Sequence, residues 1–239
     1  MKKIVLMAMM IATGMSAMAQ DEIETTVSGD IVSSYIWRGQ NLGNVSIQPT
    51  LGVAYKGLSL SAWGSVGLES TDTKELDLAL TYTIGGLSFG VTDYWTNAFQ
   101  DVDEDGYPRS RYFLYDAHRT NHVFEAFLGY DFGPLSATWY TNFAGADGVN
   151  KDGKRAYSSY VELNAPFKLA TCDWTASLGA VPYCTTSYGT SGFAVTNVAL
   201  KATKDIKVTD SFSIPVFGQF VANPCSQNAY LVFGVTLQP

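Results

Sequence analysis

Alternation is the feature that most limits what this chain folds into. Apolar and polar residues trade places position by position over segments of about ten residues, the period of a strand with one apolar face and one polar face. Leu58, Leu60, Ala62, Val66 and Leu68 alternate with Ser59, Ser61, Trp63 and Ser65. Leu76, Leu78, Leu80, Tyr82 and Ile84 alternate with Glu75, Asp77, Ala79, Thr81 and Thr83. In the first segment Val27, Gly29, Ile31, Ser33, Tyr35 and Trp37 share one face, and Ser28, Asp30, Ser34 and Arg38 share the other with Val32 and Ile36. Twelve such segments lie at 27–38, 46–56, 58–68, 75–84, 87–95, 122–132, 135–143, 156–165, 172–181, 193–203, 212–222 and 228–238.

The connections sort into two kinds. Lys56-Gly57, Gly85-Gly86 and Gly133-Pro134 are tight-turn sequences, carrying the residues that such turns demand. The intervening connections are mostly longer and more polar, with 96–121 the longest; those at 166–171 and 204–211 are less tight than the other short ones. Short turns at one end and long loops at the other, with an even strand number, describe an up-and-down antiparallel barrel.

The N-terminus points to export. Lys2 and Lys3 precede a short apolar stretch from Ile4 to Thr13, and Ala17-Met18-Ala19 is an A-x-A cleavage sequence. This reads as a signal peptide over 1–19, with residues 20–239 as the mature domain. Beyond it there is no apolar run near the roughly 20 residues a membrane helix requires. For an exported chain the membrane alternative is a closed barrel, whose backbone groups all pair internally. The expected fold is therefore all-β: an antiparallel up-and-down transmembrane barrel of about twelve strands in the bacterial outer membrane, surrounded by its lipid. A formal charge of -7 argues against nucleic acid as a partner, since phosphate contacts need a basic face.

Aromatic residues collect at strand ends. Trp37, Trp95, Phe143, Tyr157 and Phe220 fall toward one rim, and Tyr55, Tyr82, Tyr130, Trp174 and Phe212 toward the other, as two interfacial girdles would require. Charged residues sit opposite the apolar faces: Arg38, Glu75, Asp77, Glu125, Glu162 and Lys201. A charge facing mid-bilayer costs about 2–4 kcal/mol for Arg or Lys, so these six belong in the lumen. They either line a pore or form an ion-paired network that plugs it. Pro215 falls inside the eleventh segment, where its missing donor predicts a bulge or a break.

The run Ser33-Ser34-Tyr35-Ile36-Trp37-Arg38-Gly39-Gln40, with the closing Phe233-Gly234-Val235-Thr236-Leu237, resembles the first and last strands of the TorF-like family of bacterial outer-membrane porins. The resemblance implies a barrel, an outer-membrane location and insertion by the barrel assembly machinery. Family members usually end at an aromatic residue, where this chain has Gln238-Pro239.

Three constellations bear on chemistry. Asp101, Asp103 and Asp105 followed by Gly106 match the first half of a calcium loop, with oxygen donors at positions one, three and five. The twelfth position is Tyr112 instead of the bidentate Glu, and a solvated acidic loop is the plainer alternative. Cys184 and Cys225 fall in neighbouring outer loops, where the compartment permits a disulfide, while Cys172 falls at the opposite rim. His118 and His122 close the longest connection without a matching nucleophile motif. The expected function is a narrow passive channel for ions or small solutes, not an enzyme, with no cofactor beyond a calcium ion at 101–106. The alternatives are a closed-lumen barrel acting through its outer loops in adhesion, and an outer-membrane lipid-modifying enzyme.

Overall fold

The computed structural model describes residues 23–69, 72, 74–97, 111–117, 119–210 and 212–239. The signal-peptide reading of 1–19, the calcium-loop residues Asp101, Asp103 and Asp105, and His118 lie outside them. The described residues form strands β1 (Glu24–Val32), β2 (Tyr35–Trp37), β3 (Gln40–Gly43), β4 (Ser46–Tyr55), β5 (Leu58–Gly67), β6 (Lys74–Ile84) and β7 (Leu87–Asn97). They continue with β8 (His122–Asp131), β9 (Ser136–Gly145), β10 (Ser159–Leu169), β11 (Cys172–Val181), β12 (Ala194–Lys207), β13 (Ser213–Asn223) and β14 (Asn228–Leu237).

Every strand except β2 and β3 belongs to one closed antiparallel barrel of twelve strands, each paired with its neighbours in sequence and closed by β14 on β1. Its outer face is apolar. Val27, Ile31, Leu51, Leu60, Leu80, Leu128, Leu231 and Phe233 are all exposed. Inward positions such as Ser65, Asp77, Thr92, Glu125, Thr138 and Asn164 are buried. This is the reverse of a soluble protein's partition and follows directly from the alternation.

The two ends of the barrel differ as expected. At one end the turns are 56–57, 85–86, 132–135, 170–171 and 208–212. Lys56 and Gly57 both take left-handed backbone, with φ of 48° and 84°, which matches a two-residue hairpin to the twist of its strands. The other end carries the long connections.

Three expectations need correction. The first segment is not one strand from 27 to 38: β1 stops at Val32, and β2 and β3 form a separate two-stranded hairpin. Pro215 causes neither a bulge nor a break. Its pairing with Asp205 of β12 is regular, and the ladder to β14 begins only at Val216 opposite Val235, so the missing N–H falls beyond that ladder's end. Finally, β10 runs through Pro166 to Leu169 and β12 to Lys207, so the turns at 170–171 and 208–212 are tighter than the sequence implied.

The closing seam is short. Strand β1 meets β14 only over 29–32 against 234–237, whereas it pairs with β4 along its whole length.

Candidate functional site: an ion-paired hairpin across the lumen

The β2–β3 hairpin enters the lumen because β1 is ended by Ser33-Ser34. The Ser33 amide donates to the Phe233 carbonyl at 2.9 Å, and the Ser33 hydroxyl accepts from the Phe233 amide at 3.0 Å. The chain is thus pinned to β14 and turns inward. The hairpin's tip is Arg38-Gly39, both with positive φ (49° and 81°), as a two-residue turn of this hand requires. Left-handed backbone costs a non-glycine residue roughly 1–2 kcal/mol, so Arg38 holds a strained position that its side-chain contacts must offset. A Cβ on Gly39 would run into the Thr196 carbonyl of β12. Asn223 of β13 donates to the Gly39 carbonyl at 3.1 Å. Near the hairpin's base, Tyr35 packs on Trp63 of β5 with ring centroids 5.5 Å apart. The hairpin therefore reaches from the β4–β5 wall to the β12–β13 wall.

Arg38 makes the central contacts. Its guanidinium grips Glu125 of β8 with both amino groups, Nη1 donating to Oε2 at 2.6 Å and Nη2 to Oε1 at 2.8 Å. Both side chains are buried, at 7% and 3% exposure. Nη1 also donates to the Tyr188 hydroxyl at 2.7 Å, and Tyr94 donates to Glu125 Oε1 at 2.9 Å. The guanidinium lies 4.1 Å from the Tyr140 ring centroid, 4.3 Å from Trp37 and 4.7 Å from Tyr160. Charge-assisted bidentate bonds and stacked rings are the strongest recognition a guanidinium receives.

Each partner is fixed from elsewhere. Tyr188 ends a single 3-10 turn, Thr186–Tyr188, capped by the Thr185 side chain, which accepts from the Ser187 amide. That turn is tied to the β9–β10 connection, where Gly148 donates to Ser187 Oγ at 3.0 Å and Val149 to Thr186 Oγ1 at 2.9 Å. Asp147 anchors the same layer, accepting from the Ser158 amide at 3.0 Å and from Asn142 Nδ2 at 3.0 Å. Burial lifts the Tyr188 phenol well above its ordinary range, against the opposing influence of Arg38. Tyr188 therefore stays neutral. Tyr160 donates to Glu162 Oε2 at 2.7 Å and accepts from Asn197 Nδ2 at 3.2 Å. Its hydroxyl fits over Gly179, where any Cβ would overlap it.

The structure brings three of the six charged candidates together: Arg38 with Glu125 directly, and Glu162 through Tyr160. Glu75 and Asp77 sit beside them on β6. Glu75 lies beside Tyr35 of the hairpin, and Asp77 is cross-strand from Tyr94, with Oδ1 buried and unpartnered. Lys201 lies apart, its Nζ 4.0 Å over the Phe217 ring.

Sequence reasoning missed the hairpin and the tyrosines that surround Arg38. The signal was present. Val32 and Ile36 broke the alternation of the supposed first strand, and Arg38-Gly39 is a turn dipeptide. Trp37 consequently does not join the rim girdle; it stacks on Tyr188 inside the barrel, centroids 6.0 Å apart.

At the barrel's long-loop rim, His122 is fully buried although it shares the outward face of its strand, opposite Trp95. Residues Tyr112 and Tyr115 cover it. Its Nδ1 lies 2.7 Å from Asp93 Oδ1 and its Nε2 2.6 Å from the Tyr112 carbonyl, so both ring nitrogens are engaged. The expected Cys184–Cys225 bridge is absent: all three cysteines are free. Cys184 faces a cavity shared with Asn150, Asp152 and Phe193, on the β9–β10 side of its loop, while Cys225 is in the turn after β13.

No protein-family model and no curated protein sequence matches this chain. Among solved structures, the outer membrane protein OpdK from Pseudomonas aeruginosa is 11% identical over 86% of this chain and 60% of its own, with a TM-score of 0.37. An outer membrane channel from Pseudomonas putida is 12% identical over 88% of this chain and 93% of its own, with a TM-score of 0.41. This chain thus spans 60% of the length of OpdK.

Proposed function

We propose that this protein is a bacterial outer-membrane channel whose narrow lumen is constricted by the β2–β3 hairpin and passes small solutes, cations in preference to anions. The observation that carries the reading is the thinness and polarity of the barrier. Its main buried apolar cluster is Phe127, Tyr140, Tyr160, Val181 and Tyr188, with Trp37 packed against it, all near the Arg38–Glu125 pair. Toward the tight-turn end the inward residues are polar: Ser28, Asp30, Thr83, Ser88 and Lys201 are partly exposed, and Ser136, Asn164 and Thr236 are buried. A barrel filled for stability alone would bury apolar side chains along its whole length; this one is lined mainly by polar side chains below a single layer.

Around that layer lie the carboxyl groups of Glu75, Asp77, Glu125 and Glu162, of which Glu125 is ion-paired with Arg38. Those carboxyl groups that carry charge favour cations by lowering their energy in a region of weak screening. The apolar outer face supplies the lipid contact that a transmembrane barrel needs.

Reconstitution in planar bilayers tests this. Discrete conductance steps and a reversal potential on the cation side are expected in a salt gradient. Silence from both the native protein and a variant lacking the Arg38–Glu125 pair removes the channel reading. That silence would favour a closed barrel acting through its outer surface, a reading that draws on the hydrogen-bonded layer joining the β9–β10 and β11–β12 connections.

A further inference from the structure

The contacts of Arg38 describe a binding site whose occupant happens to be tethered. The carboxylate of Glu125 presents two oxygens to a planar fork, which a guanidinium matches and a spherical ammonium does not. Rings flank the cation at 4.1 and 4.7 Å, from Tyr140 and Tyr160. Among the described residues that touch the guanidinium, only Trp37 belongs to the hairpin. Glu125, Tyr140 and Tyr160 belong to the barrel wall, and Tyr188 to a loop anchored independently of the hairpin.

The cage would thus survive the hairpin's departure. Glu125 would keep Tyr94, and Tyr160 would keep Glu162 and Asn197. Asp77, with an oxygen buried and unpartnered, lies cross-strand from Tyr94, which donates to Glu125. Arg38, for its part, holds its place from a left-handed backbone. A free cation would carry no such strain.

We propose that the Glu125–Tyr140–Tyr160–Tyr188 cage is a binding site for guanidinium-bearing solutes, occupied at rest by Arg38 as a tethered substitute. A solute that takes the cage releases the hairpin and opens the lumen. The proposal deepens the channel reading and rests on it for the opening step, but not for the binding step. A tethered group acts at an effective concentration in the millimolar range or above. The native protein therefore responds only to guanidinium at comparable concentration, whereas a chain without the Arg38 side chain binds without competition.

The experiment uses the full chain in detergent and in bilayers, with guanidinium chloride as the probe and sodium and tetramethylammonium chlorides at matched ionic strength as controls. Arg38→Ala and Arg38→Gln are made in parallel, and folding is read from the heat-dependent gel shift of an intact barrel. Calorimetric binding of guanidinium to either folded variant is expected. It should weaken about tenfold or more when Glu125→Gln is added, the loss expected from one charge-assisted bidentate contact. No binding by a folded variant, or equal binding of tetramethylammonium, overturns the site whatever the conductance. Binding without conductance in any variant keeps the site and overturns the channel. If neither variant folds, the native protein decides: guanidinium must raise its conductance several-fold over sodium, and an unchanged current overturns the proposal.

Discussion

Replacing Glu125 with Ala removes the acceptor of two of the three Arg38 hydrogen bonds and leaves a guanidinium in a site where its side chain is only 7% exposed. Stranding one partner of a buried ion pair costs about 3–5 kcal/mol. The Tyr188 hydroxyl and the flanking rings still hold the cation, so the lower part of that range applies to docking of the hairpin. At about 1.4 kcal/mol per factor of ten, 3 kcal/mol moves the docked-to-released ratio by roughly a hundredfold. The assay is limited trypsin digestion of the folded barrel, because Arg38-Gly39 is a cleavable bond that docking protects. Glu125→Ala should be cut after Arg38 at least tenfold faster than the native chain, with higher open-channel occupancy in bilayers. The double substitution with Arg38→Ala should be less destabilised than the two single effects summed, since no charge is then left unpaired. If the folded Glu125→Ala barrel resists trypsin at Arg38 and conducts like the native protein, the ion pair does not hold the hairpin.

Other consequences follow from the same geometry. Gly39→Ala forces a Cβ into the Thr196 carbonyl at a left-handed position, which costs about 1–3 kcal/mol; it should loosen the tip and raise conductance while leaving the barrel's gel shift intact. Leu128→Arg puts a charge on the exposed outer face of β8 and should lower unfolding free energy in vesicles by about 2–4 kcal/mol, whereas Thr83→Arg, facing inward, should cost far less. Cys225 is an exposed free thiol and should react with iodoacetamide in the native protein without reductant, faster than the half-buried Cys184; protection of both until reductant is added would restore the disulfide.

Most of the barrel was legible because alternation is a wall property. Each strand shows lipid-facing and lumen-facing residues in turn, and the pattern in β5 and β6 places every side chain correctly. The tight turns were legible where Gly made them so, at Gly57 and Gly85. The turn at 170–171 was not, since Ala170 takes a left-handed φ of 55° without any glycine to announce it. The site was half legible. Charge sign and strand face put Arg38 and Glu125 in the lumen, but nothing local pairs residues that are 87 positions apart. The interior tyrosines were hidden for a related reason. Tyr94, Tyr140 and Tyr160 sit on inward positions where aromatic character usually marks the lipid face, and only the incoming hairpin gives them something to pack against. Pro215 misled because a backbone donor is needed only where a ladder exists.

The brevity of the β1–β14 seam has a mechanical consequence. Where the wall is sewn by few rungs, it is the natural place for the cylinder to come apart, and the thread that leaves this seam is the same stretch of chain that blocks the bore. Pulling the blocking segment outward therefore tugs on the weakest join, and parting that join frees the segment. Opening of the passage and loosening of the wall are in this molecule one motion seen from two sides.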